Sequence, residues 1–272
     1  MSRGRIGTAL GALLLACAWP ARAQDGIPPQ LREVGFDQNL GAQVPLDLVF
    51  RDEAGAEVEL GRYFGDKPVV LALVYYECPM LCSMVLNGLT SSLRVLKFDI
   101  GSDFEVLTIS FDPGETPELA AAKKRNYVEE YARPGAAAGW HFLTGGDESI
   151  RTLTEAVGFR YVYDPDLDQY AHASGIVVLT PEGRVARYFF GIEYAPKDLR
   201  LGLVEAAEGR IGSVVDQVLL YCFRYDPESG TYSAVALNIV RLGGILTVSG
   251  IVALILLLRR KGRPPRSSRR AS

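Results

Sequence analysis

The chain has 272 residues, of which 48% are hydrophobic and 22% charged, enough apolar material for one folded domain with accessory segments and too much for a disordered polymer. Its formal charge of −3 is unevenly spread: leaving out the three arginines of residues 1–23 and the seven basic residues of 259–272 gives −13 for residues 24–258. A body that acidic repels phosphate backbones, so nucleic acid is excluded as a partner.

In chain order, the first segment is "MSRGRIGTALGALLLACAWPARAQ", with Arg3 and Arg5 ahead of an apolar run and "ARA" before Gln24. It predicts a secretory signal peptide over residues 1–23; a lipoprotein signal acylated at Cys17 is the alternative. Residues 24–40 carry Pro28 and Pro29 with no clear period and read as an extended lead-in. "PLDLVF", "DEAG" and "EVEL" then spell strand, turn and strand, a hairpin. "KPVVLALVYY" is nearly unbroken in apolar character, as a central strand covered on both faces requires, and "CSMVLNGLTSSLRVL" behind it has helical spacing.

"FEVLTISF" predicts a second buried strand, and "TPELAAAKKRNYVEEYA" a helix capped by Thr116 with Pro117 in its first turn. "WHFLTG" is a short apolar piece, "DESIRTLTEAVG" a helix capped by Asp147 and ended at Gly158, and "SGIVVLTPEGRVARYFFG" two strands about a tight turn. "YDPDLDQYAHA" before that hairpin reads as a polar, turn-rich loop, and "PKDLRLGLVEAAE" closes the domain as a helix. Strand, helix, strand, helix, hairpin, helix is the order of a thioredoxin-like α/β fold, here over residues 41–208 with an extra N-terminal hairpin.

Residues 209–236 read as a juxtamembrane connector, and residues 237–258, uncharged from Leu242 to Leu258, as one C-terminal transmembrane helix. Arg241 at its outer end reads as an interface anchor. The basic tail 259–272 has no acidic residue, which predicts a cytoplasmic C-terminus and an outward-facing domain, single-pass in a bacterial inner membrane.

Cys78 and Cys82 stand at i and i+4 where the first long strand passes into a helix, so both side chains share one face. A helix N-terminus favours thiolate, whereas Glu77 beside Cys78 opposes it. Three readings stand. A disulfide here closes a loop of few residues, where crosslinking constrains the chain least. A redox dithiol usually has C-x-x-C spacing, not the C-x-x-x-C seen here. A soft-metal centre uses two thiolates with a nitrogen donor, a set suited to copper in both valence states. The chain has two histidines. His141 in "GWHFLTG" reads as a packed or hydrogen-bonded core residue, while His172 precedes a strand whose entrance, in a thioredoxin-like fold, approaches the cysteine helix. Met80 and Met84 read as gap-fillers on that helix before thioether ligands, and Cys222 as a buried inert thiol before an intermolecular crosslink.

"KPVVLALVYYECPMLC", "LTISFDPGETPE", "WHFLTG" and "YAHASGIVVLTPEGRVARYFFG", in that order, resemble the SCO/SenC family of thioredoxin-like copper proteins that help assemble the dinuclear copper centre of cytochrome c oxidase. The resemblance implies that Cys78, Cys82 and His172 hold Cu(I) or Cu(II), and that the partner is the oxidase's copper-bearing subunit. The alternative to the chaperone is an enzyme, a membrane-anchored thiol-disulfide reductase that keeps that subunit's cysteines reduced through Cys78 and Cys82, with a reducing thioredoxin-like partner. The chain departs from the pattern at Ser83, where relatives often have proline, at Ala171, where they often have an acidic residue, and in carrying its tether at the C-terminus.

Overall fold

The computed structural model describes residues 33–212, 225–226, 231–232, 242–252 and 254–255. Strand β1 (Gly35–Phe36) lies within the stretch read as lead-in, and β2 (Val49–Arg51) and β3 (Glu57–Glu59) form the expected hairpin. The Asp52 carboxylate closes that hairpin by accepting from the N–H groups of Ala54 and Ala56 at 2.9 Å each. A 3-10 turn at Leu60–Tyr63 leads into β4 (Val69–Val74), followed by α1 (Leu81–Val95), β5 (Glu105–Ser110), α2 (Pro117–Tyr131), the short α3 (Ala136–Gly139), β6 (Trp140–Leu143) and α4 (Asp147–Ala156). Then come β7 (Phe159–Asp164), β8 (Gln169–His172), β9 (Gly175–Leu179), β10 (Val185–Phe190) and α5 (Pro196–Ala207), with β11 (Tyr225–Asp226) and β12 (Thr231–Tyr232) paired beyond.

The central sheet has the order β10-β9-β4-β5-β6. Strands β4, β5 and β6 run parallel, joined by helical crossovers, while β9 pairs antiparallel with both β4 and β10. All six residues of β4 are buried, which is why the run lacks polar alternation: both faces of the strand are covered. Helix α1 buries Cys82, Val85, Leu86, Leu89 and Leu93, a stripe at helical spacing, and packs against α2 and α5. Burying each large aliphatic side chain contributes about 1.5–3 kcal/mol, so this stripe fixes where the cysteine end of α1 sits.

Thr116 caps α2 as expected, its Oγ1 accepting from the Leu119 N–H at 3.4 Å, with Pro117 in the first turn. At α4 the expectation shifts by one residue. Gly146 is the cap and makes no side-chain bond, whereas Asp147 is the first helical residue, where its charge complements the helix dipole. A larger correction falls on residues 163–173: most of the stretch read as a loop belongs to the antiparallel hairpin β7–β8, which joins β1 in a separate three-stranded sheet, order β1-β7-β8. Its strands carry tyrosines that pack on the core, and its turn, residues 165–168, gathers the polar residues that suggested a loop.

Residues 242–252 and 254–255 are helical and expose Leu242, Ile245, Leu246 and Ile251. Among the described residues no helix is long and apolar enough to cross a membrane. The signal segment with Cys17, residues 24–32, Cys222, Arg241, the remainder of 237–258 and the tail 259–272 lie outside the described residues.

Candidate metal centre

Three segments converge at the end of β4. Tyr75 and Tyr76 leave the sheet, a short turn brings Cys78 to the start of α1, and Cys82 sits one helical turn further on. Both cysteines are buried free thiols, 8% and 2% exposed. The third segment is β8, which ends at His172. Cys82 Sγ and His172 Nε2 are 3.2 Å apart, and the donor atoms of Cys78, Cys82 and His172 all lie within 4.8 Å of one another.

The imidazole's tautomer follows from its other nitrogen. Nδ1 lies 2.8 Å from the Ala173 carbonyl oxygen, which can only accept, so Nδ1 carries a proton there and Nε2 is the nitrogen that faces the sulfurs. An aromatic wall orients the ring: Phe111 at 5.2 Å, Tyr75 at 5.9 Å and Phe159 at 6.3 Å between centroids.

The two thiols are unlike. The Cys82 thiol, the backbone N–H groups of Cys82 and Met80, and the Tyr75 hydroxyl all direct hydrogen bonds at the Cys78 sulfur, and against the cost of burial they bring its pKa down to about 4. Burial and the hydrogen bond to Cys78 push Cys82 upward. The contest between the helix terminus and Glu77 is thus decided by hydrogen bonds, and the Glu77 side chain points to solvent. The cluster offers one ready thiolate, one thiol whose proton a soft cation would displace, and one imidazole nitrogen facing them. That donor set fits copper.

The other candidate residues fall elsewhere. His141 on β6 packs on the Tyr63 ring at 4.4 Å and faces Glu105, its Nε2 3.7 Å from Oε2, so it is a packed residue outside the cluster. Met80 and Met84 are 66% and 39% exposed, so neither fills a core gap. Ala171 pairs with Val162 on β8 and, by strand alternation, lies on the side opposite His172.

One carboxylate at the centre had no role in the sequence reading. Glu115, in the loop between β5 and α2, accepts from the backbone N–H groups of Tyr76 and Glu77 at 2.7 Å each and from the Ser110 hydroxyl at 2.5 Å. Burial nevertheless raises its pKa. "FDPGETPE" was legible as an anchor, but its partners are main-chain amides, which no side-chain pattern announces.

A parallel-centred sheet with two thiols and an imidazole at its strand-to-helix turn defines a thioredoxin-like protein with a thiol and imidazole centre. The sequence model of the SCO1/SenC family matches residues 38–204, more than half of the chain, and the chain belongs to that family. It is 26% identical over 164 residues to the SCO1 protein homolog of Bacillus subtilis (strain 168), a match covering 59% of this chain and 80% of the relative. A crystal structure of a protein from Aquifex aeolicus VF5 is similar with a TM-score of 0.54 at 29% identity, covering 63% of this chain and 95% of that one. The SCO1/SenC family lipoprotein from Bacillus anthracis str. Ames shares the fold with a TM-score of 0.51 at 16% identity, covering 61% of this chain and 96% of that one.

Proposed function

We propose that this protein is a copper chaperone that matures the dinuclear copper site of cytochrome c oxidase, holding its cargo ion with the Cys78 and Cys82 thiolates and the His172 imidazole. The convergence of those three donors within 4.8 Å carries the reading. Two thiolates suffice for Cu(I), and the imidazole adds the nitrogen that Cu(II) favours, so one site serves both valence states. The receiving partner is the oxidase's copper-bearing subunit.

The placement of the protein belongs to the same proposal. A cleaved signal peptide at 1–23, a membrane-spanning segment at 237–258 and a basic tail at 259–272 would hold the domain on the outer face of a bacterial inner membrane. That is the face on which an oxidase subunit's exposed copper ligands would be met.

A second reading is favoured by the inequality of the thiols. A Cys78 thiolate beside a protonated Cys82 is the arrangement of a nucleophile with its resolving thiol, so the pair would also suit a thiol-disulfide reductase that keeps the oxidase cysteines reduced. A reducing thioredoxin-like partner would then recharge it.

Competition of the reduced, full-length protein in detergent against a chromophoric Cu(I) chelator tests the choice. One ion per chain, lost on Cys78→Ser, is expected. No binding by the reduced protein sinks the chaperone reading, and turnover of a disulfide substrate that survives His172→Ala would favour the reductase.

A further inference from the structure

Tyr75, Tyr76 and Glu77, the three residues that connect β4 to Cys78, each send their backbone N–H to an electron-rich partner. Tyr75 donates to the Cys82 sulfur at 3.3 Å, and Tyr76 and Glu77 donate to the two oxygens of Glu115 at 2.7 Å each. The Cys82 N–H donates in turn to the Cys78 sulfur at 3.3 Å. Met80, the cap of α1, contributes no side-chain bond.

We propose that Glu115 is a positioning residue for the Cys78–Cys82 pair, a carboxylate clamp that sets the turn between β4 and α1 so that both sulfurs face His172. Its own place is fixed from behind. The Ser110 hydroxyl holds Oε2, and the loop is turned by Asp112, whose Oδ1 accepts from the Gly114 N–H at 2.8 Å while its carbonyl accepts from the Glu115 N–H at 3.3 Å.

The clamp requires two acceptors side by side. In Glu115→Gln one oxygen becomes an NH2 group, which cannot accept and faces a backbone N–H; Glu115→Asp keeps both acceptors on a stem shorter by one carbon. The fold does not depend on the clamp. Strand β4 keeps its ladders to β5 and β9, and the Tyr76 side chain stays tied by its hydroxyl to the carbonyls of Thr108 and Leu143. What is released is the main chain of two residues directly before Cys78.

The test uses the full chain in detergent as wild type, Glu115→Gln and Glu115→Asp. Two quantities are measured: the dithiol–disulfide equilibrium of Cys78 and Cys82 against glutathione, and Cu(I) affinity by chelator competition. Glu115→Gln is expected to change the dithiol equilibrium constant at least threefold and to weaken Cu(I) binding at least tenfold, with wild-type circular dichroism. Glu115→Asp should lie closer to wild type on both. Wild-type values of both in Glu115→Gln overturn the proposal. So does loss of the folded spectrum in that variant, which would make Glu115 a support of the fold and not of the turn. Only the copper arm rests on the chaperone reading. A wild type that fails to bind Cu(I) refutes that reading, while the glutathione arm still tests the clamp.

Discussion

Gly88 lies inside α1, where glycine normally weakens a helix, so Gly88→Ala would be expected to stabilise by about 1 kcal/mol on helix propensity alone. The structure predicts the opposite sign. A Cβ at this position would come 1.8 Å from the Ile192 carbonyl oxygen and 2.9 Å from its carbon, and these are backbone atoms of the segment that follows β10. Carbon contacts are most favourable near about 3.5–4 Å, so α1 or that segment must retreat by more than about 1 Å. Overpacking of this kind costs about 1–3 kcal/mol, and a contact with backbone belongs at the upper end. The two effects leave a net loss of about 1–2 kcal/mol, which for a domain of this size lowers the melting temperature by about 2–8 °C. Far-ultraviolet circular dichroism melts of wild type and variant decide it. A variant that melts at or above the wild-type temperature would refute the packing argument, and with it the claim that α1 is seated rigidly enough to position Cys82.

The remaining expectations concern the site and its frame. The Cys78 pKa, brought down to about 4, means its thiolate persists as pH falls until that value is approached, so iodoacetamide should modify Cys78 at nearly constant rate from pH 6 to 8; a tenfold rise per unit, the mark of an ordinary thiol, would contradict the hydrogen-bonded thiolate. Because this folded-state value is depressed from 9.0, the stability Cys78 contributes is full above the unfolded value and lost as pH falls through about 4, which acid-unfolding curves of wild type and Cys78→Ala can separate. His172→Ala should weaken Cu(II) binding by at least about tenfold and Cu(I) binding by less, read by competition for each ion; equal losses would argue against a separate nitrogen donor. Tyr76→Phe removes the hydroxyl that lies 3.0 Å from the Thr108 carbonyl and 2.8 Å from that of Leu143, and urea unfolding should show a loss of about 1–2 kcal/mol.

The central strands, the helices and the junction bearing Cys78 and Cys82 were legible because each follows a strong local rule: unbroken apolar runs for doubly covered strands, a Thr-Pro start for α2, helical spacing in α1. His172 was legible only through topology, since nothing in its own neighbourhood distinguishes a ligand from a surface histidine. Hairpin β7–β8 escaped because three aspartates and a proline in residues 164–168 dominate the stretch, while its inward residues are tyrosines. The exposure of Met80 and Met84 escaped for a different reason. Apolar character at helical spacing says which residues could be buried, and only the position of α2 and the turn decides which are. Glu115 was invisible as a clamp because it grips amides.

The pairing of β7 with β8 acts as a reading frame for the metal centre. Tyr161 stands opposite His172 and Val162 opposite Ala171, so the side that carries Tyr170 and His172 toward Tyr75 and Phe111 is set by register alone. Because side chains alternate, a slip of one residue would deliver Ala171 or Ala173 to the sulfurs, leaving a site with two donors and no nitrogen. Length changes in the turn 165–168 that preserve the register are therefore silent, whereas a single-residue deletion inside β8 erases the imidazole as surely as replacing it. The hairpin is thus tolerant of length change in its tip and frame-locked in its arms.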